Sequence, residues 1–175
     1  MEARRKMHFA AESQGMASNT ILIVGATGRQ GSSVLHELSN KLRSPSLPSS
    51  TSALVQTKLK ILALSRNATP PKAYALAITH LALDLHVIDG CTQDTDPIFA
   101  AHQDIDAVFA YTVPPDERPQ AIPLIDAAER AGVKRFVFSS VDRGGDERSW
   151  DDHTPVPHFA EKCHVEAHLY LVCEG

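Results

Sequence analysis

Cysteine is scarce in this chain, and its placement argues against two kinds of site. Cys91, Cys163 and Cys173 are the only cysteines among 175 residues, and they form no CxxC or CxxH pattern. An odd, widely spaced set argues against a disulfide framework and favours a reducing compartment, so we expect isolated thiols in or near the core. The histidines form no HExxH motif, and the His164–His168 pair has no evident third ligand, so no metal site is expected.

The chain also lacks an excess of basic charge and any long apolar run. Its 17 basic and 21 acidic side chains give a formal net charge of -4. This balance argues against direct nucleic-acid binding, because neutralising phosphates requires clustered Lys and Arg. No apolar run is long enough to cross a bilayer. We therefore expect a cytoplasmic protein, with a nuclear location also open, and no membrane partner.

The chain divides into a short tail and one domain. Residues 1–19 have a basic start but lack the apolar core of a secretory signal, so they predict a disordered tail. Residues 20–175 have the size of one ordinary domain, and a hydrophobic content of 43% is enough for a core. Within this domain, residues 43–58 are rich in Ser and Pro and predict a surface loop.

Five apolar runs alternate with five helical patterns along residues 20–175. The predicted strands are 20–25, 60–65, a strand that starts at Leu81 or Leu85 and ends near Ile88, 106–113 and 134–141. The predicted helices begin near Ser32, Pro71, Asp96, Glu117 and Val156, and the fourth of them stops at Gly132. This alternation predicts an α/β fold with a doubly wound parallel sheet of the Rossmann type.

The most specific stretch is GATGRQG, which lies between the first strand and the first helix. Its glycines, Gly25, Gly28 and Gly31, stand three residues apart. In a dinucleotide site the first glycine permits a tight turn, the second lets the backbone approach the pyrophosphate, and the third lets the helix pack closely on the sheet. The helix N-terminus then offers free N–H groups to the phosphates. The context favours a bound dinucleotide over a glycine-rich turn that binds nothing.

The end of the second strand bears on which dinucleotide is bound. The sequence there is ALSRN, which lacks the acidic residue that NAD-selective sites place near the ribose 2′-OH. Arg66 suits a 2′-phosphate instead, because a guanidinium is planar and permanently charged, and Arg29 in the glycine loop is a second cation. The pattern favours NADP and leaves NAD open. A solvated arginine at a strand end is the alternative interpretation of Arg66.

Five segments in a fixed order resemble the NmrA-like family, an atypical branch of the short-chain dehydrogenase/reductase superfamily. They are GATGRQG, ALSRN, DAVFAYTVPP, AAERAGVKRFVFSS and VPHFAEKCHVEAHL. The resemblance covers roughly residues 20–170 and implies a Rossmann fold that binds NAD(P). It implies two kinds of function, because some relatives are reductases and others lack a working active site and act as regulators that sense nicotinamide redox state.

The resemblance also assigns site residues. The phosphate loop matches Gly25, Thr27, Gly28, Arg29, Gln30 and Gly31. Arg66 matches the position that selects for the 2′-phosphate. Two positions beside the nicotinamide ribose match Thr112 and Val113, and the region of the superfamily's catalytic serine matches Ser139 and Ser140.

Two departures from the family pattern affect the expected chemistry. Gly90-Cys91 follows the third strand where many relatives have Gly-Asp, with the Asp near the adenine. His158 and Lys162 have the spacing of the superfamily's Tyr-x-x-x-Lys, so a histidine stands where the tyrosine would donate a proton. A neutral imidazole is a poor substitute for that phenol, and Tyr111 ends a strand and does not take its place. Lys162 alone is still expected to hold the ribose hydroxyls.

We therefore expect an NADP(H)-binding regulatory protein that senses redox state and has a candidate protein partner such as a transcription factor. The alternative is an NAD(P)H-dependent oxidoreductase in which Lys162 and His158 are the catalytic residues. Relatives continue beyond the last helix with further strands and a smaller substrate-binding portion. The resemblance therefore implies a sheet that is incomplete at its C-terminal edge, and a non-functional truncation product is the third interpretation.

Overall fold

The structure is a computed structural model that describes residues 20–43, 59–142 and 154–174. Five strands alternate with five helices in these ranges, in the predicted order. The strands are β1 (Thr20–Val24), β2 (Lys60–Ser65), β3 (Asp84–Asp89), β4 (Ile105–Tyr111) and β5 (Arg135–Ser139). The helices are α1 (Arg29–Arg43), α2 (Pro70–Thr79), α3 (Asp96–Ala101), α4 (Glu117–Arg130) and α5 (Pro157–Glu174). The predicted tail at 1–19 and almost all of the predicted loop at 43–58 lie outside the described residues.

Several element ends differ from the prediction for reasons visible in the backbone. Helix α1 begins at Arg29 and not near Ser32, because the Gly28 N–H already donates to the Gly25 carbonyl over 2.8 Å and closes the preceding turn. Strand β4 ends at Tyr111 and not at residue 113. The residues after Tyr111 leave the sheet because side chains of α4 and α5 bind them, as described below. The fourth helix stops as predicted, with Gly132 in the left-handed conformation at φ +72°.

All described strands are parallel and lie in the order β3-β2-β1-β4-β5. This arrangement confirms the predicted doubly wound Rossmann sheet. The strand order reverses between β1 and β4, and in such sheets ligands bind in the crevice at the carboxyl ends of the strands beside this reversal. None of the helices in the described ranges combines the length and apolar character needed to cross a membrane.

Alternate residues of the central strands pack against helices on opposite faces of the sheet. Leu22 and Leu62 point into a cluster with residues of α3, α4 and α5. Ile23 and Ile61, their neighbours in sequence, point into a second cluster with Leu35 of α1 and with α2. Because the side chains of a strand alternate between faces, apolar residues at consecutive positions require cover on both sides.

The amino ends of three strands are tied together by polar side chains. Lys60 Nζ lies 2.8 Å from Asp104 Oδ2, and Thr20 Oγ1 donates to the same oxygen over 2.9 Å. The hydrogen bond from Lys60 is the main reason that the pKa of Asp104 lies below its usual value. The tie therefore persists at neutral pH. It fastens β1 and β2 to the segment before β4 at the end opposite the cleft described below.

Helix α1 approaches the end of β1 closely at Gly31. A Cβ atom added to Gly31 would lie 2.4 Å from the Gly25 carbonyl oxygen and 2.7 Å from the Ala26 Cα. Both neighbours are backbone atoms, so no side-chain rotation relieves the contact. Gly31 therefore fixes how near the helix N-terminus lies to the loop that precedes it.

We expect Gly31→Ala to destabilise the protein by about 2 kcal/mol or more, because backbone must move to admit a methyl group. This steric cost exceeds the gain of about 1 kcal/mol that alanine brings within a helix. Urea unfolding followed by circular dichroism measures the difference. Asn40→Ala, at an exposed position of the same helix, is the matched control and should be neutral or slightly stabilising. Equal stability of the two variants would contradict the close-packing argument.

Candidate functional site

A cleft of about 600 Å³ opens at the carboxyl ends of β1, β2 and β4. Of the residues that the sequence assigns to a cofactor, five line this cleft: Gly25, Thr27, Gly28, Arg66 and Val113. The other assigned residues lie outside its wall: Arg29, Gln30, Gly31, Thr112, Ser139 and Lys162. The cleft therefore brings together the glycine loop and the end of β2, and the predicted catalytic residues lie elsewhere.

The glycine loop turns the chain sharply from β1 into α1. Gly25 has φ +63°, a conformation that side chains disfavour, and its N–H donates to the Leu64 carbonyl over 3.2 Å. Gly28 completes the turn and Arg29 starts the helix. The first N–H groups of α1 have no partner within the helix, so this edge of the cleft suits an anion.

The end of β2 forms the adjoining wall with an exposed cation. Arg66 follows the last residue of β2 and is solvent-exposed. Its guanidinium has no hydrogen bond or ion pair with any residue that the structure describes. Cys91, which follows the adjacent strand β3, lines the same side of the cleft; it is exposed and accepts a hydrogen bond from the Gln93 N–H at 3.4 Å. Arg66 is thus available to an anionic ligand.

The far wall is a loop of residues 113–116 that one side chain holds in place. Gln120 Nε2 donates to the carbonyls of Val113, Pro115 and Asp116, at 2.7, 2.9 and 3.1 Å. Its Oε1 accepts from the Val113 N–H at 3.2 Å. Gln120 thereby satisfies the backbone of a segment that cannot pair in the sheet. Val113 remains 46% exposed at the mouth of the cleft.

The side chain of Tyr111 lies against the glycine loop. A Cβ atom added to Gly25 would fall 2.3 Å from the Tyr111 hydroxyl oxygen, and one added to Gly28 would fall 2.5 Å from it. Real Cβ atoms do not approach other atoms so closely. The two glycines therefore leave room for this phenol in addition to any role with phosphates.

Lys162 lies in a buried polar cluster at the ends of β4 and β5. Its Nζ is 2.9 Å from Glu117 Oε2 and donates to Thr112 Oγ1 over 3.0 Å and to the Ser139 carbonyl over 3.2 Å. The Phe138 ring covers it at 4.9 Å. An ammonium group has three N–H donors, and three acceptors already surround this one. The arrangement leaves Lys162 no free donor for a fourth partner.

Glu117 is the counter-charge of this cluster and is 0% exposed. The Thr112 hydroxyl donates to its Oε2 in a short hydrogen bond, whereas Oε1 has no partner within the described residues. A buried carboxylate is costly unless a cation and hydrogen bonds compensate it. The cluster therefore joins the first turn of α4 to α5 and to the ends of two strands, and removal of either charge leaves the other buried.

The remaining predicted active-site residues are not gathered around one point. His158 is half-buried, and its ring meets the Phe159 ring edge-on with centroids 4.5 Å apart. Ser139 contributes its carbonyl to Lys162, and the Ser140 hydroxyl binds the Glu166 carboxylate in a short hydrogen bond. Lys162 therefore contacts backbone and buried polar groups, and none of its hydrogen bonds is to His158.

The two histidines of the last helix have separate surroundings. His168 Nε2 lies 2.6 Å from Asp126 Oδ1, whereas His164 is exposed. Within the part of the chain that the structure describes, no group of three or more His, Cys, Asp or Glu side chains is placed to hold a metal ion.

Three residues with defined roles, at the cleft or in the buried polar cluster around Lys162, belong to no sequence motif. Glu117 and Gln120 are polar residues in the first turn of a helix, where such residues are common. Tyr111 ends a buried strand, where aromatic residues are also common. The signal that distinguishes Glu117 is its complete burial, which follows from how α4 and α5 pack and not from its sequence neighbours.

Comparison with known proteins gives a consistent result. The sequence profile of the NmrA-like family matches residues 17–171. An NmrA-like family domain-containing protein of Dictyostelium discoideum is 28% identical over 156 residues, which cover 87% of this chain and 45% of that protein. The chain therefore spans less than half the length of this relative.

Solved structures share the fold. A variant of NmrA superposes with a TM-score of 0.62 at 23% identity, over 90% of this chain and 43% of NmrA. The NADPH-dependent quinone oxidoreductase QOR2 of Escherichia coli, complexed with NADPH, gives a TM-score of 0.58 at 27% identity, over 87% of this chain and 45% of that enzyme. A triphenylmethane reductase of Citrobacter sp., complexed with NADP(H), gives 0.58 at 18% identity, over 87% and 45% of the two chains.

We expect Lys162→Met to destabilise the protein by about 3–5 kcal/mol, because it leaves the Glu117 carboxylate buried without its cation. The double variant Lys162→Met/Glu117→Leu should recover most of this loss, since it removes both charges. Urea unfolding of the three proteins measures the two free-energy differences.

The matched control is Glu161→Ala, which removes the exposed ion pair that Glu161 forms with Arg118 at 2.9 Å. Hydrogen bonding to Arg118 is the main cause that lowers the pKa of Glu161, yet exposed pairs contribute at most about 1 kcal/mol. If Lys162→Met costs no more than Glu161→Ala, the buried cluster does not hold the structure together.

Proposed function

The chain belongs to the NmrA-like family, and from this premise we propose that it binds NADP(H) in the cleft and acts as a redox-sensing regulatory protein. The observation that carries the proposal is that one cleft is lined both by the glycine loop and by Arg66, which has no partner among the described residues. Membership of the family is the reason to expect a dinucleotide, and the charge of Arg66 is the reason to expect the form that carries a 2′-phosphate.

The glycine loop and the start of α1 fit the phosphates of a dinucleotide. Gly25 and Gly28 line the cleft where β1 gives way to the helix, and the first turn of α1 presents N–H groups and a partial positive charge there. These groups bind an anion through the backbone and so require no particular side chain. They serve NAD and NADP equally, and the choice between the two falls to other residues.

Arg66 provides the selection for NADP(H) in this proposal. In Rossmann sites the residue at the end of the second strand contacts the adenosine ribose, and a nearby arginine accommodates a 2′-phosphate. Arg66 lines the cleft at this position, and no carboxylate among the described residues neutralises it. A guanidinium forms paired, charge-assisted hydrogen bonds with phosphate oxygens. Complexes of the quinone oxidoreductase with NADPH and of the triphenylmethane reductase with NADP(H) are in accord with this choice.

The proposed role is binding without tyrosine-dependent chemistry. When bound, a nicotinamide dinucleotide supplies a hydride donor or acceptor, and a reductase must add a proton donor beside it. His158 stands at the position of that donor and is packed edge-on against Phe159. The ammonium of Lys162 is surrounded by Glu117, Thr112 and the Ser139 carbonyl. Both observations favour a bound state over turnover.

The alternative function, an oxidoreductase that uses Lys162, draws its support from the reductases among the structural neighbours. It requires the Lys162 ammonium to exchange one of its present acceptors for a ligand. The cost of that exchange is high in a buried site, because Glu117 loses part of its compensation. The regulatory function needs no such exchange.

A regulatory protein must transmit the bound state to its surface. Val113, Pro114 and Pro115 form one wall of the cleft and are also exposed to solvent. In our proposal, a dinucleotide against this wall alters the outer face of the same loop, where a partner such as a transcription factor binds. The hydrogen bonds from Gln120 hold the loop in one conformation, so that a change at its cleft face is passed to its outer face.

We expect the purified chain to bind NADP+ at least about tenfold more tightly than NAD+, and Arg66→Ala to abolish most of that difference. The affinity for NAD+ should remain nearly unchanged, because NAD+ has no 2′-phosphate. Isothermal titration calorimetry with both dinucleotides measures the four dissociation constants.

Arg135→Ala is the matched control, since Arg135 is an exposed arginine at the amino end of β5 and does not line the cleft. It should leave both affinities unchanged. An equal loss in both arginine variants would mean that net charge, and not the position of Arg66, sets the affinity. If the wild-type chain binds neither dinucleotide, the proposed function is wrong.

We expect no oxidation of NADPH above the buffer rate when the chain is given a panel of quinones and carbonyl compounds. The physical reason is that His158 replaces the phenol that would donate a proton, and that all three N–H donors of Lys162 already have acceptors. Oxidation of NADPH is followed as the loss of absorbance in the band of the reduced nicotinamide. The quinone oxidoreductase of Escherichia coli, assayed beside it, shows that the panel and conditions support turnover. Turnover by this chain that disappears in His158→Ala and Lys162→Arg would establish the oxidoreductase alternative.

A further inference from the structure

We propose that Tyr111 is the residue that sets the affinity of this cleft for a pyrophosphate group. The inference rests on the proposed function, because it concerns how the same cleft discriminates among nucleotides. The phenol lies over the glycine loop and must leave before a pyrophosphate contacts that loop. Ligands that carry a 2′-phosphate but no pyrophosphate bind without this displacement.

The first step of the argument is the volume that the phenol fills. Cβ atoms built on Gly25 and Gly28 would lie 2.3 and 2.5 Å from the Tyr111 hydroxyl oxygen, well inside normal contact distance. In a dinucleotide loop the second glycine is needed because the pyrophosphate comes where its side chain would be. The hydroxyl oxygen of Tyr111 therefore lies in the space that the pyrophosphate requires, and the two groups exclude each other.

The second step is that little fixes the phenol in this position. The Tyr111 hydroxyl has no hydrogen-bond partner among the residues that the structure describes. Its side chain is half-buried and borders the open cleft. No hydrogen bond is broken when the ring rotates away from the glycine loop, so the free-energy cost of displacing it is modest. Binding of a dinucleotide is therefore weakened and not abolished.

The third step concerns the rest of the cleft. Arg66, Asn67, Gly90 and Cys91 line the side of the cleft formed by the ends of β2 and β3, whereas the Tyr111 hydroxyl oxygen lies over Gly25 and Gly28 at the end of β1. This side takes the adenosine 2′-phosphate portion in the proposed function. Tyr111 therefore opposes only the pyrophosphate portion, and its effect should depend on the ligand.

The experiment compares two ligands on three proteins by isothermal titration calorimetry. The ligands are NADP+ and adenosine 2′-monophosphate, which carries the 2′-phosphate but no pyrophosphate. The proteins are the wild type, Tyr111→Ala and Tyr111→Phe. Tyr74→Ala is the matched control, because Tyr74 is 70% exposed on α2 and does not line the cleft. Thermal unfolding of each variant establishes that it is folded at the temperature of titration.

We expect Tyr111→Ala to bind NADP+ about tenfold more tightly than the wild type, the change that follows if about a tenth of wild-type molecules hold the phenol away from the loop. Binding of adenosine 2′-monophosphate should change by less than about twofold, because this ligand has no pyrophosphate and does not need the phenol to leave the glycine loop. Tyr111→Phe should not weaken NADP+ binding, and Tyr74→Ala should match the wild type for both ligands.

Other outcomes separate this inference from the proposed function. If the wild type binds NADP+ and Tyr111→Ala binds it equally or more weakly, the inference is overturned and the proposed function stands. Weaker NADP+ binding in both Tyr111 variants would instead make the hydroxyl a phosphate donor, which also overturns it. A similar gain for both ligands overturns it as well. If no protein binds either ligand, the proposed function fails, and this inference fails with it.

Discussion

The close approach of α1 to the end of β1 is the constraint on which the cleft depends. At Gly31 the backbone of the helix lies so near the Gly25 carbonyl and Ala26 that no side chain fits between them. This contact places the first turn of α1 beside the carboxyl ends of β1 and β2, where the strand order of the sheet reverses. A helix terminus with unpaired N–H groups then faces a crevice that the sheet topology has already opened. The anion site that we propose here therefore depends first on backbone geometry, and a charged side chain is a secondary contribution.

A second, electrostatic constraint acts at the carboxyl ends of β4 and β5. Glu117 and Lys162 bring opposite charges from two helices into a buried position, and Thr112 and the Ser139 carbonyl complete their hydrogen bonds. Buried ion pairs of this kind hold elements in one arrangement because the cost of leaving either charge alone is large. The same contacts that fasten α5 to the sheet occupy the donors of the lysine. Structural and catalytic uses of Lys162 therefore compete, and the observed geometry favours the structural one.

The two sides of the cleft differ in how ready they are for a ligand. On the side of β2, Arg66 is exposed and has no partner among the described residues. Over the glycine loop, Tyr111 already fills the space beside the backbone. This difference suits a protein that senses a dinucleotide. The free-energy cost of moving Tyr111 weakens binding, and it thereby sets the dinucleotide concentration at which the protein responds. The fold shared with the triphenylmethane reductase and the quinone oxidoreductase does not decide between regulation and catalysis; the residues of the site do.

The sequence alone determined the order of strands and helices, the family, the glycine loop and the arginine at the end of β2, because each depends on local spacing. Apolar runs at strand length and glycines three residues apart are readable without knowledge of the fold. Only the tertiary structure decided the pairing of Glu117 with Lys162, the hold of Gln120 on its loop and the position of Tyr111. Glu117 and Lys162 lie far apart in sequence, and they meet because α4 and α5 pack on the same face of the sheet. Tyr111 reaches the glycine loop because β4 pairs with β1. Long-range contacts of this kind follow from how elements pack, which no local pattern encodes.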